Sequence, residues 1–356
     1  MSEKRRTSRG SSSRSDRVPS ASVRLTARDV AASLGVSIST VSRAFTENAV
    51  ISEETRRMVL EEASRMGYTP DVLARSMITR RTRIAGIAVA DITNPFYPEV
   101  LARLTRRLHE AGMQSMVFFA DPGRNVDDAI PTLLQYKPDV ALILAATLSS
   151  ETTAACKRAG TPVLLFNRNV QDAQVESVTC DNLDAGRMVA EVLLGAGHRR
   201  LAFIQGLSDT STNRDRLEGF QQGARAAGAA EPTVEAAGGF TYEGGYAALK
   251  RLMDGLNPPD AVFCANDIVA LGALDAARRE LGLQVPQDLS VIGFDDISMA
   301  AWPSYDLTTV RQPVNAMIQL TVEKIQALLS KDDQVPEQVF LPGRLIRRSS
   351  ARLEER

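Results

Sequence analysis

The spacing of apolar residues changes near residue 84, and this change divides the chain into two kinds of predicted structure. Between residues 25 and 68, apolar residues recur every three or four positions, which is typical of short amphipathic helices. Three helices are predicted, TARDVAASL, SISTVSRAF and SEETRRMVLEEASRM. Serine or threonine stands at the start of each and glycine at the end of two; these residues are Thr26, Ser37, Ser52, Gly35 and Gly67.

From residue 84 onwards, continuous apolar runs alternate with helical stretches. Such runs predict buried parallel strands, because strands covered on both faces lack polar alternation. The alternation indicates an α/β fold with right-handed crossovers. About ten strands are too many for one ordinary open sheet. We therefore expect two subdomains of parallel sheet with flanking helices, and a ligand cleft between them near the carboxyl ends of the strands.

The composition, with 44% hydrophobic and 24% charged residues, is that of an ordinary soluble protein. No apolar run approaches the ~20 residues that span a bilayer, and the N-terminus lacks the apolar stretch of a secretion signal. The three cysteines are widely spaced, and the two histidines lack the neighbours of a zinc site or a catalytic triad. We expect a cytoplasmic protein that binds no metal or cofactor.

Charge is distributed unevenly, although the net formal charge is only −1. Residues 1–24 carry seven Lys and Arg against two Asp and Glu, and residues 25–83 carry nine Arg against seven Asp and Glu. The remainder is acidic. A basic head on an acidic body is typical of a polyanion-binding module joined to a separate domain. A solvated basic tail without a partner would give the same distribution.

Residues 25–45 have the residue types that a helix-turn-helix requires. Small Ala31 allows two helices to cross closely, and Gly35 makes the turn between them. The second helix would then present an outward face to a DNA major groove. That face comprises Ile38, Ser39, Ser42 and Arg43. An ordinary αα-hairpin is the alternative, and the basic head favours DNA.

At these residues the chain resembles the LacI–GalR family of bacterial repressors, over residues 25 to about 348. In the first part the resemblance rests on D-V-A, G-V-S, T-V-S-R, G-Y-x-P and A-R-S. It continues through N-P-F-Y, G-H-R-R, R-D-R-L-E-G-F, F-C-A-N-D, G-F-D-D and L-T-T-V-R-Q-P. Because several motifs occur in a fixed order, the resemblance is specific.

The resemblance implies that two chains form a homodimer on a pseudo-palindromic operator. The N-terminal helical unit of each chain, called the headpiece, would carry the surface that reads the DNA. Ile38, Ser39 and Arg43 occupy the positions that select the operator sequence. Met77 stands where most members carry a leucine that wedges into the minor groove, although it would equally suit a plain apolar position in a short helix. The other predicted DNA contacts are Thr26, Ser37, Thr40, Ser42, Ser52, Thr55, Tyr68 and Arg75.

The resemblance also implies an effector cleft like that of periplasmic sugar-binding proteins. Aromatic faces stack on a sugar ring, amides and carboxylates bond its hydroxyls, and arginine forks to vicinal oxygens or a carboxylate. The predicted ligand residues are Phe96, Tyr97, Asn167, Arg168, Thr210, Arg216, Asn266, Asp295 and Trp302. Plain packing is the alternative for Trp302. The cleft arginines suit a sugar acid unless they pair with neighbouring aspartates.

Five segments are expected along the chain. They are a disordered basic tail (1–24), an all-α headpiece (25–70), a hinge helix and linker (71–83), an effector-binding and dimerisation core (84–348) and a C-terminal tail (349–356).

The predicted function is a ligand-responsive, nucleoid-associated transcription regulator, most simply a repressor, that responds to a sugar or sugar acid. A sugar-binding protein without regulatory DNA binding is the alternative, and it would normally carry a secretion signal. We do not expect an enzyme. Adjacent Asp295 and Asp296 on an extended segment point opposite ways and cannot flank one bond, and no GxSxG, HExxH or Walker sequence is present.

Overall fold

The computed structural model describes residues 25–46, 49–69, 81–89, 92–120, 126–144, 149–170, 175–330 and 335–354. The chain divides into two compact units, Met1–Arg80 and Arg81–Arg356. The expected basic tail and hinge helix lie outside the described residues, as do Arg75 and Met77.

Three helices form the first unit. They are α1 (Ala27–Leu34), α2 (Ile38–Ala44) and α3 (Glu53–Met66). The predicted caps are confirmed for the last two, because the Ser37 and Ser52 hydroxyls accept hydrogen bonds from the third residue beyond, at 3.1 and 3.2 Å. Gly35 ends α1 with φ of 66°, a conformation that costs glycine little. The buried core comprises Val30, Ala31, Val41, Ala44, Val59 and Ala63.

Arg56 fixes the turn that follows α2. Its guanidinium donates to the carbonyl oxygens of Ala44 at 2.8 Å, Thr46 at 3.0 Å and Ala49 at 3.2 Å. Carbonyls at a helix end lack partners within the helix. A side chain of α3 therefore ties down the carboxyl end of α2.

The second unit contains two six-stranded sheets, which define a first and a second subdomain. In spatial order, the first sheet comprises β11 (Gln338–Leu341), β5 (Glu176–Cys180), β4 (Val163–Phe166), β3 (Val140–Leu144), β1 (Ile84–Val89) and β2 (Gln114–Phe119). The second comprises β12 (Arg344–Ile346), β10 (Thr308–Arg311), β9 (Ser290–Asp295), β8 (Ala261–Cys264), β6 (Leu201–Gln205) and β7 (Thr233–Ala236). Neighbouring strands are parallel except β10 and β12. The predicted α/β architecture with two subdomains is confirmed.

Helices connect these strands. They are α4 (Phe96–Glu110), α5 (Ile130–Gln135), α6 (Ser150–Arg158), α7 (Asn182–Gly195), α8 (Ser211–Ala226), α9 (Tyr242–Met253), α10 (Asp267–Asp275) and α11 (Val314–Ser330). The chain passes between the two sheets three times, after β5, after β10 and after β11. The two subdomains are therefore joined by three connections of the chain.

The C-terminal residues 349–354 were expected to form a tail, and this expectation is wrong. Ser350 is fully buried. Its hydroxyl donates to the Val291 carbonyl at 2.6 Å and accepts from the Thr308 N–H at 2.8 Å. The segment therefore packs on the second sheet as part of the core.

None of the helices in the described ranges is long and apolar enough to cross a membrane.

Candidate functional sites: a DNA-reading helix and a ligand cleft

Helix α2 buries one face and exposes the face predicted to contact DNA. Val41 and Ala44 are buried, whereas Ile38 is 46% exposed and Ser39, Ser42 and Arg43 are exposed. An exposed branched apolar side chain on a reading helix can contact a thymine methyl group.

The hydroxyl side chains around α2 and α3 are already ordered by local hydrogen bonds. The Ser37 and Ser39 hydroxyl oxygens lie 2.7 Å apart, and those of Ser52 and Thr55 also lie 2.7 Å apart. Both pairs stand at helix N-termini, where phosphates are favoured. Of the remaining predicted contacts, Thr26 is exposed, Thr40 is half-buried, and Tyr68 packs edge-to-face on Phe45 with ring centres 5.9 Å apart.

In the second unit, three polar residues follow adjacent strands of the second sheet. Asp295 ends β9, Asn266 lies just after β8, and Gln312 directly follows β10. The Gln312 side-chain N–H donates to Asp295 Oδ1 at 2.7 Å. Asn266 and Gln312 are only 1% and 2% exposed. The carboxyl edge of this sheet therefore forms one polar wall.

Arg216 of α8 stands behind this wall in a fully buried position. Its Nε donates to Asn182 Oδ1 at 2.8 Å, and its Nη1 donates to the Ala265 carbonyl. Nη2 lies 3.7 Å from Asp295 Oδ1, and the guanidinium carbon lies 3.5 Å from the centre of the Phe294 ring. The predicted pairing of a cleft arginine with Asp295 is thus present, which weakens the argument for a sugar acid.

Close packing of α7 on α8 sets the position of Arg216. A Cβ added to Gly219 would lie 1.9 Å from the Leu183 carbonyl oxygen, and one added to Gly186 would lie 2.3 Å from the carbonyl oxygen of Arg216 itself. Only glycine allows the two backbones to approach so closely.

Burial dominates the electrostatics of this wall. It raises the pKa of Asp295 to about 6, although Arg216 and Gln312 favour the charged form. Burial also raises the pKa of Asp267 well above its ordinary value. Asp267 accepts hydrogen bonds from the Thr309 hydroxyl at 2.5 Å and the Ile297 N–H at 2.9 Å. Desolvation lowers the pKa of Arg216.

The first subdomain supplies the opposite wall. Phe96 and Tyr97 begin α4 and pack edge-to-face with ring centres 5.2 Å apart. Asn167, which follows β4 with φ of 59°, donates to the Tyr97 hydroxyl at 3.4 Å. Arg168 is buried and donates to the Asn167 carbonyl at 2.8 Å.

Hydrogen bonds join the two walls at both sides of the cleft. The Asn169 backbone N–H donates to the Ser211 hydroxyl at 3.1 Å, and its side-chain amide donates to Asp215 at 2.8 Å. At the other side, the Ser298 N–H donates to Glu99 Oε1 at 3.2 Å. Residues after strands of both sheets therefore meet across the cleft, as the strand pattern predicted.

Several buried polar atoms in the cleft have no hydrogen-bond partner among the described residues. They are Asn167 Oδ1, Asn266 Nδ2 and Gln312 Oε1. Buried polar atoms are rarely left unpaired in proteins. Their common position near the strand ends is consistent with a polar ligand.

Two predicted ligand residues do not join this group. Trp302 is 52% exposed, and the Thr210 hydroxyl donates to the Leu207 carbonyl at 2.9 Å. The cavity of about 520 Å³ is lined by Phe96, Asp295 and Gln312 among others; of the predicted ligand residues, it is not lined by Tyr97, Asn167, Arg168, Thr210, Arg216, Asn266 or Trp302. Gln312 was missed, although it stands in the L-T-T-V-R-Q-P motif that carried the resemblance.

Asp295 and Asp296 were expected to stand on an extended segment, but both have positive φ, 119° and 57°, and both line the same cavity. Asp295 bonds Gln312, whereas Asp296 pairs with Arg311 and with Arg348 at 2.7 Å. The two carboxyl groups have different partners.

A helix-turn-helix unit and a two-subdomain core with a polar cleft define a ligand-responsive DNA-binding regulator. Comparison with known proteins gives the family. Residues 26–71 match the family described as bacterial regulatory proteins, lacI family, and residues 190–351 match the periplasmic binding protein-like domain.

Full-length relatives agree with these matches. The chain is 33% identical over 290 residues to the HTH-type transcriptional repressor CytR of Escherichia coli K12, covering 81% of this chain and 85% of CytR. It is 31% identical over 330 residues to the ribose operon repressor of the same strain, covering 92% and 99%. The crystal structure of the lac repressor dimer bound to operator and the anti-inducer ONPF has a TM-score of 0.82 at 25% identity, covering 92% and 99%. The chain belongs to the lacI family of bacterial regulatory proteins, and it is a transcription regulator rather than an enzyme.

Proposed function

We propose that this chain is a homodimeric repressor that binds a pseudo-palindromic operator at the nucleoid and releases or tightens its hold when a sugar or related polyol enters the cleft. The observation that carries this is the exposed face of α2, whose opposite face is buried in a folded three-helix unit. Two relatives support this proposal: the lac repressor, which forms a dimer bound to operator, and the ribose operon repressor.

Base selection is assigned to Ile38, Ser39 and Arg43, because these side chains project from the exposed face of α2. Met77 is proposed as the apolar wedge in the minor groove. The remaining DNA contacts, chiefly to phosphates of the DNA backbone, are assigned to Thr26, Ser37, Thr40, Ser42, Ser52, Thr55, Tyr68 and Arg75. Because phosphate contacts release counterions, affinity should fall steeply as salt is raised.

The ligand is assigned to the cleft. The first wall offers Phe96, Tyr97, Asn167 and Arg168. The second offers Asn266, Asp295 and the additional residue Gln312, with Arg216 behind them. The headpiece is placed at residues 25–70, the hinge and linker at 71–83, and the cleft in the core from residue 84.

Selection of DNA from a random pool by the full-length protein tests the DNA-binding part. We expect two inverted half-sites, and we expect Ile38→Ala to change the preferred base at one half-site position by about 1–3 kcal/mol. Leu60→Ala is the matched control, since Leu60 is an exposed apolar residue of α3, at 39%, and it should leave the selected sequence unchanged. Recovery of no common sequence by the unaltered protein would contradict the proposal.

A further inference from the structure

Helix α11 begins at the cavity of about 520 Å³. Its first three residues, Val314, Asn315 and Ala316, line that cavity. Gln312, which stands two residues before the helix, lines it as well and donates to Asp295. A molecule that occupies the cavity would therefore contact the amino end of α11.

The carboxyl end of α11 contacts the segment at which the core begins. The helix has 17 residues, so its two ends are about 25 Å apart. The guanidinium of Arg81 donates to the carbonyl oxygen of Leu329, in the last turn of the helix. Carbonyls in a last turn lack partners within the helix, and a cation beside them is favoured by the helix dipole. Arg81 is the first residue of the second unit, so this contact is made where the chain passes from the headpiece unit to the core.

The two residues after Arg81 are held by the first sheet. The Asp139 carboxylate, directly before β3, accepts hydrogen bonds from the backbone N–H groups of Thr82 and Arg83, each at 3.0 Å. The Thr82 hydroxyl donates to the Lys137 carbonyl at 3.0 Å. The chain that leads from the headpiece is therefore fixed to the first sheet by Asp139 and to α11 by Arg81.

Between its two ends, α11 is packed along its length. Its buried side comprises Met317, Ile318, Thr321, Val322 and Ile325. Lys324 of the same helix pairs with Glu176 of β5 at 2.7 Å. Close-packed elements transmit a displacement instead of absorbing it. A shift of the amino end of α11 at the cavity would therefore reach the Leu329 carbonyl.

We propose that α11 carries the signal between the cleft and the headpiece, and that Arg81 is the positioning residue through which this helix acts on the linker. The inference rests on the proposed function of the cleft and names the element that would join the ligand to the DNA-binding unit. Arg81 does not line the cavity. Removing its side chain should therefore leave both sites able to bind while reducing the response of each site to the other.

Hydrogen exchange in the full-length protein tests this route without any ligand. Binding of the operator selected from the random pool should change the exchange rates of residues 327–330 by about threefold or more, because operator and α11 are coupled through Arg81. Arg81→Ala should abolish this change, whereas Arg81→Lys should largely retain it, since lysine also donates to a carbonyl. Arg83→Ala is the matched control. It removes the same charge two residues away, and the exposed Arg83 side chain lies beside Gly112.

Fluorescence anisotropy tests the same route with ribose, glucose and cellobiose as probes. A probe that changes the operator affinity of the unaltered protein by about tenfold should change that of Arg81→Ala by less than about threefold. Calorimetry without DNA should give affinities of the two proteins for that probe within about twofold of each other. Arg83→Ala should keep the full response.

Two results would count against these proposals in distinguishable ways. If operator binding leaves the exchange of residues 327–330 unchanged, or if the change is the same in Arg81→Ala as in the unaltered protein, the route through α11 is wrong and the proposed function stands. If none of the three probes alters operator affinity, the proposed response to a sugar fails, and the exchange measurement still decides the role of α11.

Discussion

Asp295 is a buried, ionisable residue that is also proposed to bind the ligand. It ends β9, holds Gln312, and faces Arg216 across 3.7 Å. Burial raises its pKa to about 6 from an ordinary value of 3.8. Without ligand, this group makes folding less favourable as pH rises from about 4 to about 6, because the unfolded chain loses the proton first.

A ligand whose hydroxyls donate to the ionised carboxylate should bind more tightly as Asp295 deprotonates. We expect the affinity to increase by a few-fold, at most about tenfold, between about pH 5 and about pH 7. Asp295→Asn should bind more weakly at neutral pH and lose this dependence. Titration calorimetry across that pH range, with the tightest-binding member of a panel of neutral sugars, measures both. Parallel pH profiles for the two proteins would show that another group titrates.

The role of a residue could be predicted from the sequence where the residue lies in a recognised motif. The outward face of α2 is an example. Arg216 was predicted to bind the ligand, whereas it is buried with Asn182, the Ala265 carbonyl and Asp295 as its partners. Gln312 was missed because its role depends on a hydrogen bond to Asp295, seventeen positions away, and spacing does not reveal such a bond. Trp302 was placed in the cleft for its ring chemistry alone, and it is half exposed instead.

At the scale of elements, the strands that were predicted are those with continuous apolar runs. Five strands lack such runs, and the apolar pattern did not predict them: β5, β7, β10, β11 and β12. β7, β11 and β12 are short edge strands whose side chains are largely exposed or half-buried. β5 and β10 are largely buried although their sequences, ESVTC and TTVR, are rich in polar residues; in β5, Glu176 pairs with Lys324 at 2.7 Å. Tertiary partners rather than local pattern decide these elements.

The packing of α7 on α8 provides a direct test at this scale. Gly219→Ala would place a Cβ 1.9 Å from the Leu183 carbonyl oxygen, so the helices must separate. We expect a loss of about 1–3 kcal/mol in the free energy of unfolding, together with weaker ligand binding because Arg216 moves. Thermal unfolding and titration calorimetry measure the two effects.

Gly195→Ala is the matched control for that substitution. Gly195 lies in α7, and an added Cβ there would meet nothing within 4 Å. Replacing glycine by alanine in an open helical position should stabilise the protein by up to about 1 kcal/mol. If Gly219→Ala stabilised the protein as much as Gly195→Ala does, close approach of the two helices would not explain the glycine at 219.

At the scale of the whole molecule, the two units have different tasks. The first exposes polar and apolar side chains on one helix, and the second places buried polar atoms in a cleft crossed by three chain connections. Regulation requires that the ligand bind two states of the molecule with different affinity. The coupling must then be reciprocal, because operator and ligand share one thermodynamic cycle.

The affinity of the full-length protein for its selected operator, measured by fluorescence anisotropy at fixed salt with and without saturating effector, tests the central claim most directly. We predict a change of about tenfold or more, and the operator should change the affinity for the effector by the same factor. An operator affinity that is identical with and without a tightly bound ligand would contradict the account.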